Sequence, residues 1–116
     1  MSGRILIVDQ VPVNRIILKV KLSAAHYDVL MASTANDALK LARREQPDLV
    51  IAGLGTEDLS GIELCARLKS RRITSRIPVL LTGVATGPQE RIDALKAGAE
   101  AFVAHFEITP PTKTST

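Results

Sequence analysis

The sequence predicts an α/β domain, a doubly wound five-stranded parallel sheet, on three observations. Five short apolar segments recur along the 116 residues. Most are continuous apolar runs rather than alternating ones, which is the pattern of strands covered on both faces. Segments of helical period separate them, so the element order is βαβαβαβαβ. Strict alternation with short connections implies right-handed crossovers and helices on both sheet faces.

Each element has its own justification. Ile5-Leu6-Ile7-Val8 is the first strand, rich in β-branched residues. A helix follows, with Val13, Ile16, Ile17, Val20 and Ala24 at i, i+3, i+4, i+7 and i+11 on one face. Val29-Leu30-Met31-Ala32 is the second strand. The second helix starts at Thr34 with Asp37 three residues on, the spacing of a capping box, and its apolar stripe is Ala35, Ala38, Leu39 and Ala42. Leu49-Val50-Ile51-Ala52 is the third strand. The third helix repeats the capping box with Ser60 and Glu63 and carries Gly61, Leu64, Cys65 and Leu68. Val79-Leu80-Leu81 is the fourth strand. The fourth helix opens after Pro88, is expected to bury Ile92 and Leu95, and closes at Gly98, which tolerates the left-handed conformation of a helix C-terminus. Phe102-Val103-Ala104 is the last strand. From Glu107 the chain reads EITPPTKTST, where Pro110-Pro111 rules out a regular helix and no apolar stripe remains, so a fifth helix is expected to be missing. Residues 1–106 are thus read as one domain and 107–116 as a polar tail or linker, with truncation before a fifth helix as the alternative.

Composition narrows the class of function. A 46% apolar chain of this length builds one continuous core without metal or disulfide, and the lone Cys65 has no partner within the chain. No signal peptide or bilayer-length apolar run is visible, which points to the cytoplasm and away from membranes. A net charge of +3 is mildly basic, far from the charge density of a dedicated nucleic-acid binder. The basic residues Arg67, Lys69, Arg71, Arg72 and Arg76 read as helix-end charge and solvation. With only Tyr27, Phe102 and Phe106 as aromatics, a base-stacking platform is not expected.

In open α/β sheets the ligand site lies at the carboxyl ends of the strands, where strand order reverses. Reading off those ends gives Asp9 and Gln10, Gly53, Thr82 and Gly83, and His105. Gly53-Leu54-Gly55 is not a dinucleotide fingerprint, because the third glycine of that motif would fall at Asp58 and no GK[ST] exists.

The segments Arg4-Ile-Leu-Ile-Val-Asp9-Gln10, Gln46-Pro-Asp-Leu-Val-Ile, Leu59-Ser-Gly-Ile-Glu63, Arg76-Ile-Pro-Val-Leu-Leu-Thr82 and Ala97-Gly-Ala99 resemble the receiver domains of two-component response regulators. The likeness covers residues 3 to 106 and is nearest to receivers of PleD-type proteins, in which such domains precede a diguanylate cyclase domain. It implies a flavodoxin-like (CheY-like) strand order 2-1-3-4-5. It also implies the family's chemistry, transfer of a phosphoryl group from a histidine kinase to an aspartate ending the third strand, with Mg²⁺ held by that aspartate and by acids ending the first.

Several positions depart from that pattern. The acceptor position is Gly53, without a side chain, and the second acid position is Gln10, a neutral amide offered to a cation that prefers carboxylates. His105 stands where the family has lysine, and Phe106 where a proline usually follows. Asp9 and Thr82 alone match. Asp9, the weak candidate for a metal ligand, then reads as a hydrogen-bonded loop acid. Glu57 and Asp58 lie near enough to return negative charge to the pocket, although loop acids are commonly just solvated. His105 has the pKa range for anion binding or pH sensing, but a strand-end histidine without metal partners is usually structural, and His26 reads as a surface residue.

The sequence therefore points to a non-enzymatic receiver without a phosphoacceptor, in effect a pseudo-receiver, requiring no cofactor. It would act as a dimerisation or docking module for an output domain or a histidine kinase, as a homodimer and without nucleic acid. The alternatives are a phosphate switch with a non-standard acceptor and a small-ligand sensor using the less charged pocket. Loss of a fifth helix would leave apolar side chains near the first, third, fourth or fifth strand uncovered.

Overall fold

The computed structural model describes residues 3–83 and 88–104. Its elements are β1 (Arg4–Val8), α1 (Pro12–Ala24), β2 (Asp28–Ala32), α2 (Ala35–Glu45), β3 (Leu49–Gly53), α3 (Gly61–Ser70), β4 (Val79–Gly83), α4 (Pro88–Lys96) and β5 (Ala101–Ala104). The strands form one parallel sheet in the order β2-β1-β3-β4-β5. This is the doubly wound topology expected from the sequence. The expected absence of a fifth helix falls outside the described residues, as do His105, Phe106 and the tail.

Alternation along the strands divides the core between the two faces of the sheet. Leu6, Val8, Val50, Ala52, Val79 and Leu81 meet Ala35, Ala38 and Ala42 of α2 and Leu64, Cys65 and Leu68 of α3. Ile5, Ile7 and Ile51 point the other way, onto Leu18 and Leu22 of α1. Small alanines on α2 let that helix approach the sheet closely, and both stripes expected for α2 and α3 are inward-facing, with Leu39 half-buried.

Helix α1 differs from expectation. Its long β-branched stripe is on the outside, with Val13 56%, Ile16 58%, Ile17 48% and Val20 62% exposed, while Leu18 and Leu22 are 5% and 6% exposed. At about 100° per residue, Leu18 and Leu22 lie roughly opposite Val13 and Val20. The helix is apolar on both sides, and the two leucines reach the sheet.

Helix α4 also turns differently. Ile92 and Leu95 are exposed and Ala94 is the buried residue. Arg91 explains the rotation, since its guanidinium donates to the Phe102 carbonyl at 2.8 Å and lies 5.6 Å from the centre of the Phe102 ring. That contact turns Ala94 toward the sheet. Gly98 closes the helix at φ +100°, as its position requires.

The capping box of α3 is complete, with Glu63 N donating to Ser60 Oγ at 3.1 Å and Ser60 N to Glu63 Oε1 at 3.2 Å. At α2 the box is half made. Thr34 Oγ1 accepts from Asp37 N at 3.2 Å, but aspartate is one methylene shorter than the glutamate a full box uses. A residue from another loop completes the cap.

Candidate functional site

Register brings most of the candidate residues together. Val8 pairs with Ala52 and Gly53 with Thr82, so the ends of β1, β3 and β4 are level and Asp9, Gly53 and Thr82 share one end of the sheet. Gln10 is exposed on the following loop and lines an open groove of about 390 Å³ with Val11, Pro12, Ser33, Thr34 and Glu57. His105 lies outside the described residues.

Asp9 is buried, and its polar atoms are taken by the start of α1. Its Oδ1 accepts from Val11 N at 2.9 Å, Oδ2 accepts from Asn14 Nδ2 at 3.3 Å, and its carbonyl accepts from Arg15 at 2.7 Å. These bonds tie the loop after β1 to the first turn of α1, whose N-cap Val11 makes no side-chain cap bond. The carboxylate leans over β3. A Cβ built on Gly53 would be 3.0 Å from Asp9 Oδ2 and 3.3 Å from its Cγ. Thr82 is buried, and its hydroxyl donates to the Ala52 carbonyl at 3.5 Å.

Backbone and apolar atoms close the rest of the pocket. A Cβ on Gly61 would collide with the Gly53 carbonyl, and Gly61 N donates to Leu54 O at 2.7 Å, so α3 starts directly against the end of β3. The Leu54 side chain folds over the end of β4, with Cδ1 2.9 Å from where a Gly83 Cβ would stand.

The residues present do not fit Mg²⁺. A hard cation needs several oxygen ligands, yet Gly53 supplies no side-chain oxygen, Asp9 is engaged by α1, and Gln10 contributes only an exposed amide. Among the described residues, no group of three or more His, Cys, Asp or Glu side chains gathers to hold a metal.

Asp58 has a role that was not legible from its position. Its Oδ1 accepts from Ala35 N at 2.9 Å and its Oδ2 from Asn36 N at 2.8 Å, so a residue of the β3–α3 loop caps the N-terminus of α2. Those backbone donors, Ala35 first, hold its carboxyl below the usual aspartate value. Lys69 likewise departs from the expectation of solvated helix-end charge. Its Nζ donates to Ser75 O at 3.3 Å and to Ile77 O at 2.7 Å, anchoring the loop into β4. No periodicity reports either bond, because each joins separate segments of the chain.

Comparison with known proteins agrees with this architecture. The model of the response regulator receiver domain matches residues 5–105. The chain is 36% identical over 103 residues to the response regulator PleD of Caulobacter vibrioides, covering 89% of this chain and 23% of that protein. It thus spans about a quarter of the relative's length. A putative response regulator from Chloroflexus aurantiacus superposes with a TM-score of 0.85 at 26% identity, over 90% of this chain and 85% of that one. The chemotaxis response regulator CheY4 of Vibrio cholerae gives 0.83 at 20% identity, over 97% and 89%, a likeness of fold. Among the described residues, no helix is long and apolar enough to cross a membrane. With a receiver model matched along most of its length and the five-stranded order of that fold, the chain belongs to the response-regulator receiver family of two-component signalling.

Proposed function

We propose that this receiver carries its signal through protein contacts and not through a phosphoryl group at its pocket, so that it is no enzyme and needs no cofactor. One observation carries the reading. The acceptor position is Gly53, and the Asp9 carboxylate leans over it with both oxygens engaged by α1. In-line attack on a phosphoryl group needs a positioned nucleophile and a cation to spread the charge; Gly53 offers no nucleophile, and Asp9 with the amide of Gln10 makes a poor cation site. A relocated acceptor at Asp58 is disfavoured, because both its oxygens cap α2.

The contact surface is the outer stripe of α1. Val13, Ile16, Ile17 and Val20 are spaced like the seam of a helix pair and lie about half exposed. A symmetric second copy covers such a stripe with the same residues from both chains. The homodimer would then present an output domain or meet a histidine kinase. Likeness to PleD makes a diguanylate cyclase beyond this segment the output of choice, and the cytoplasm the compartment.

Light scattering over a rising concentration series tests the contact surface. Self-association of the native chain, abolished by Ile16→Asp with Val20→Asp while circular dichroism stays unchanged, is the expected result. A native chain that is monomeric throughout contradicts it.

A further inference from the structure

Helices α2 and α3 build a basic groove remote from the strand ends. Lys40 and Arg43 are one turn apart on α2, and Arg67 and Arg71 are one turn apart on and just beyond α3. The four line a single groove of about 200 Å³. Leu39 provides its apolar wall, and Thr74 closes one end with its hydroxyl already donated to Leu68 O.

The charge in this groove is unbalanced. Among the described residues, none of the four cations makes an ion pair, and no acid lines the groove. Glu45 pairs with Arg4 and Arg44, and Glu63 accepts from the Ser60 backbone. Like charges brought together without counter-charge repel one another, and an anion placed between them relieves this. Lys69, on the same helix, anchors carbonyls of the next loop, so the basic residues of α3 divide between a structural task and this groove.

We propose that the α2–α3 groove binds a compact phosphate-bearing anion, with a diphosphate group as its chemical class. Guanidinium forks match phosphate oxygens in pairs, and Arg43 and Arg67 approach from opposite helices, which suits two linked phosphates better than one. The volume is below the span of common drug-sized ligand sites, so the groove takes the charged group and leaves any larger part of the ligand outside. Nucleic acid is disfavoured, since no aromatic side chain lines the groove for base stacking.

Isothermal titration of the whole chain with inorganic pyrophosphate, in salt of about 150 mM to screen weak surface attraction, is the test. Saturable one-site binding, roughly tenfold tighter than orthophosphate and weakened at least about tenfold by Arg43→Gln with Arg67→Gln, is expected. The paired control Lys19→Gln with Lys96→Gln removes the same charge elsewhere and should leave binding unchanged. Thermal unfolding of each unliganded variant separates loss of binding from loss of fold. No saturable heat, equal weakening by the control pair, or tighter binding of polyglutamate or duplex DNA at the same arginines would overturn the assignment.

Discussion

A Cβ on Gly53 would stand 3.0 Å from Oδ2 of Asp9. In this pocket the missing side chain and the retained acid are one arrangement, because the carboxylate leans over the space that an acceptor would enter. Asp9 also bonds Val11, Asn14 and Arg15 at the start of α1. Restoring an acid at position 53 must therefore displace Asp9 or crowd it.

Gly53→Asp is expected to lower stability by about 1–3 kcal/mol, the usual range for overpacking a buried position, with Gly53→Asn losing less because it brings no second charge. Thermal unfolding at pH 7 orders the two. Millimolar Mg²⁺ should raise the Tm of Gly53→Asp with Gln10→Asp and leave the native chain unmoved. A native Tm that climbs with Mg²⁺ would mean that Asp9 accepts the cation after all.

Asp58→Ala removes the cap that the β3–α3 loop lends to α2, so its Tm should fall. The sign of the pH dependence follows from the lowered pKa. Stability contributed by Asp58 is complete above the ordinary aspartate value of 3.8 and is lost as pH falls through the lower folded value. The native chain should consequently lose stability below about pH 4 more steeply than Asp58→Asn does. Parallel acid limbs in a urea titration would remove Asp58 from this role.

Gly61→Ala should be among the most disruptive single substitutions. Its methyl would meet the Gly53 carbonyl, which is backbone held in the sheet, so α3 must shift outward. A loss of about 2–3 kcal/mol in chemical denaturation is expected, against a few tenths for Gly55→Ala, whose Cβ would meet open space. Equal effects at the two glycines would contradict the close approach of α3 to β3.

Lys69→Met keeps the aliphatic stem and deletes the ammonium that Ser75 and Ile77 carbonyls share. A loss of about 1.5–3 kcal/mol is expected, the scale of hydrogen bonds that involve a charged group. Arg72→Met, at an exposed position nearby, should change little.

Local rules carried the fold from the sequence a long way. Continuous apolar runs marked the strands, and stripes such as Leu64, Cys65 and Leu68 faced inward as their spacing required. Periodicity misjudged α1 and α4 because it ranks faces by apolar content and carries no information on which face the sheet meets. Leu18 and Leu22 are two residues beside four β-branched ones, yet they hold the helix down. On α4, the decisive contact is Arg91 with Phe102, an interaction between elements that no helical wheel contains. The strand-end rule placed Asp9, Gly53 and Thr82 at one end of the sheet, since register follows from topology. The roles of Asp58 and Lys69 were not legible because their partners come from other segments, and side-chain-to-backbone bonds of that kind have no spacing to read.

The claim that this receiver works without phosphoryl transfer is most directly tested by intact-mass spectrometry after incubation with acetyl phosphate and Mg²⁺, beside a receiver that carries the acceptor aspartate. An unmodified mass for this chain, with the comparison receiver phosphorylated, is the predicted result. The added mass of one phosphate on Asp58 or any other residue of this chain would contradict it.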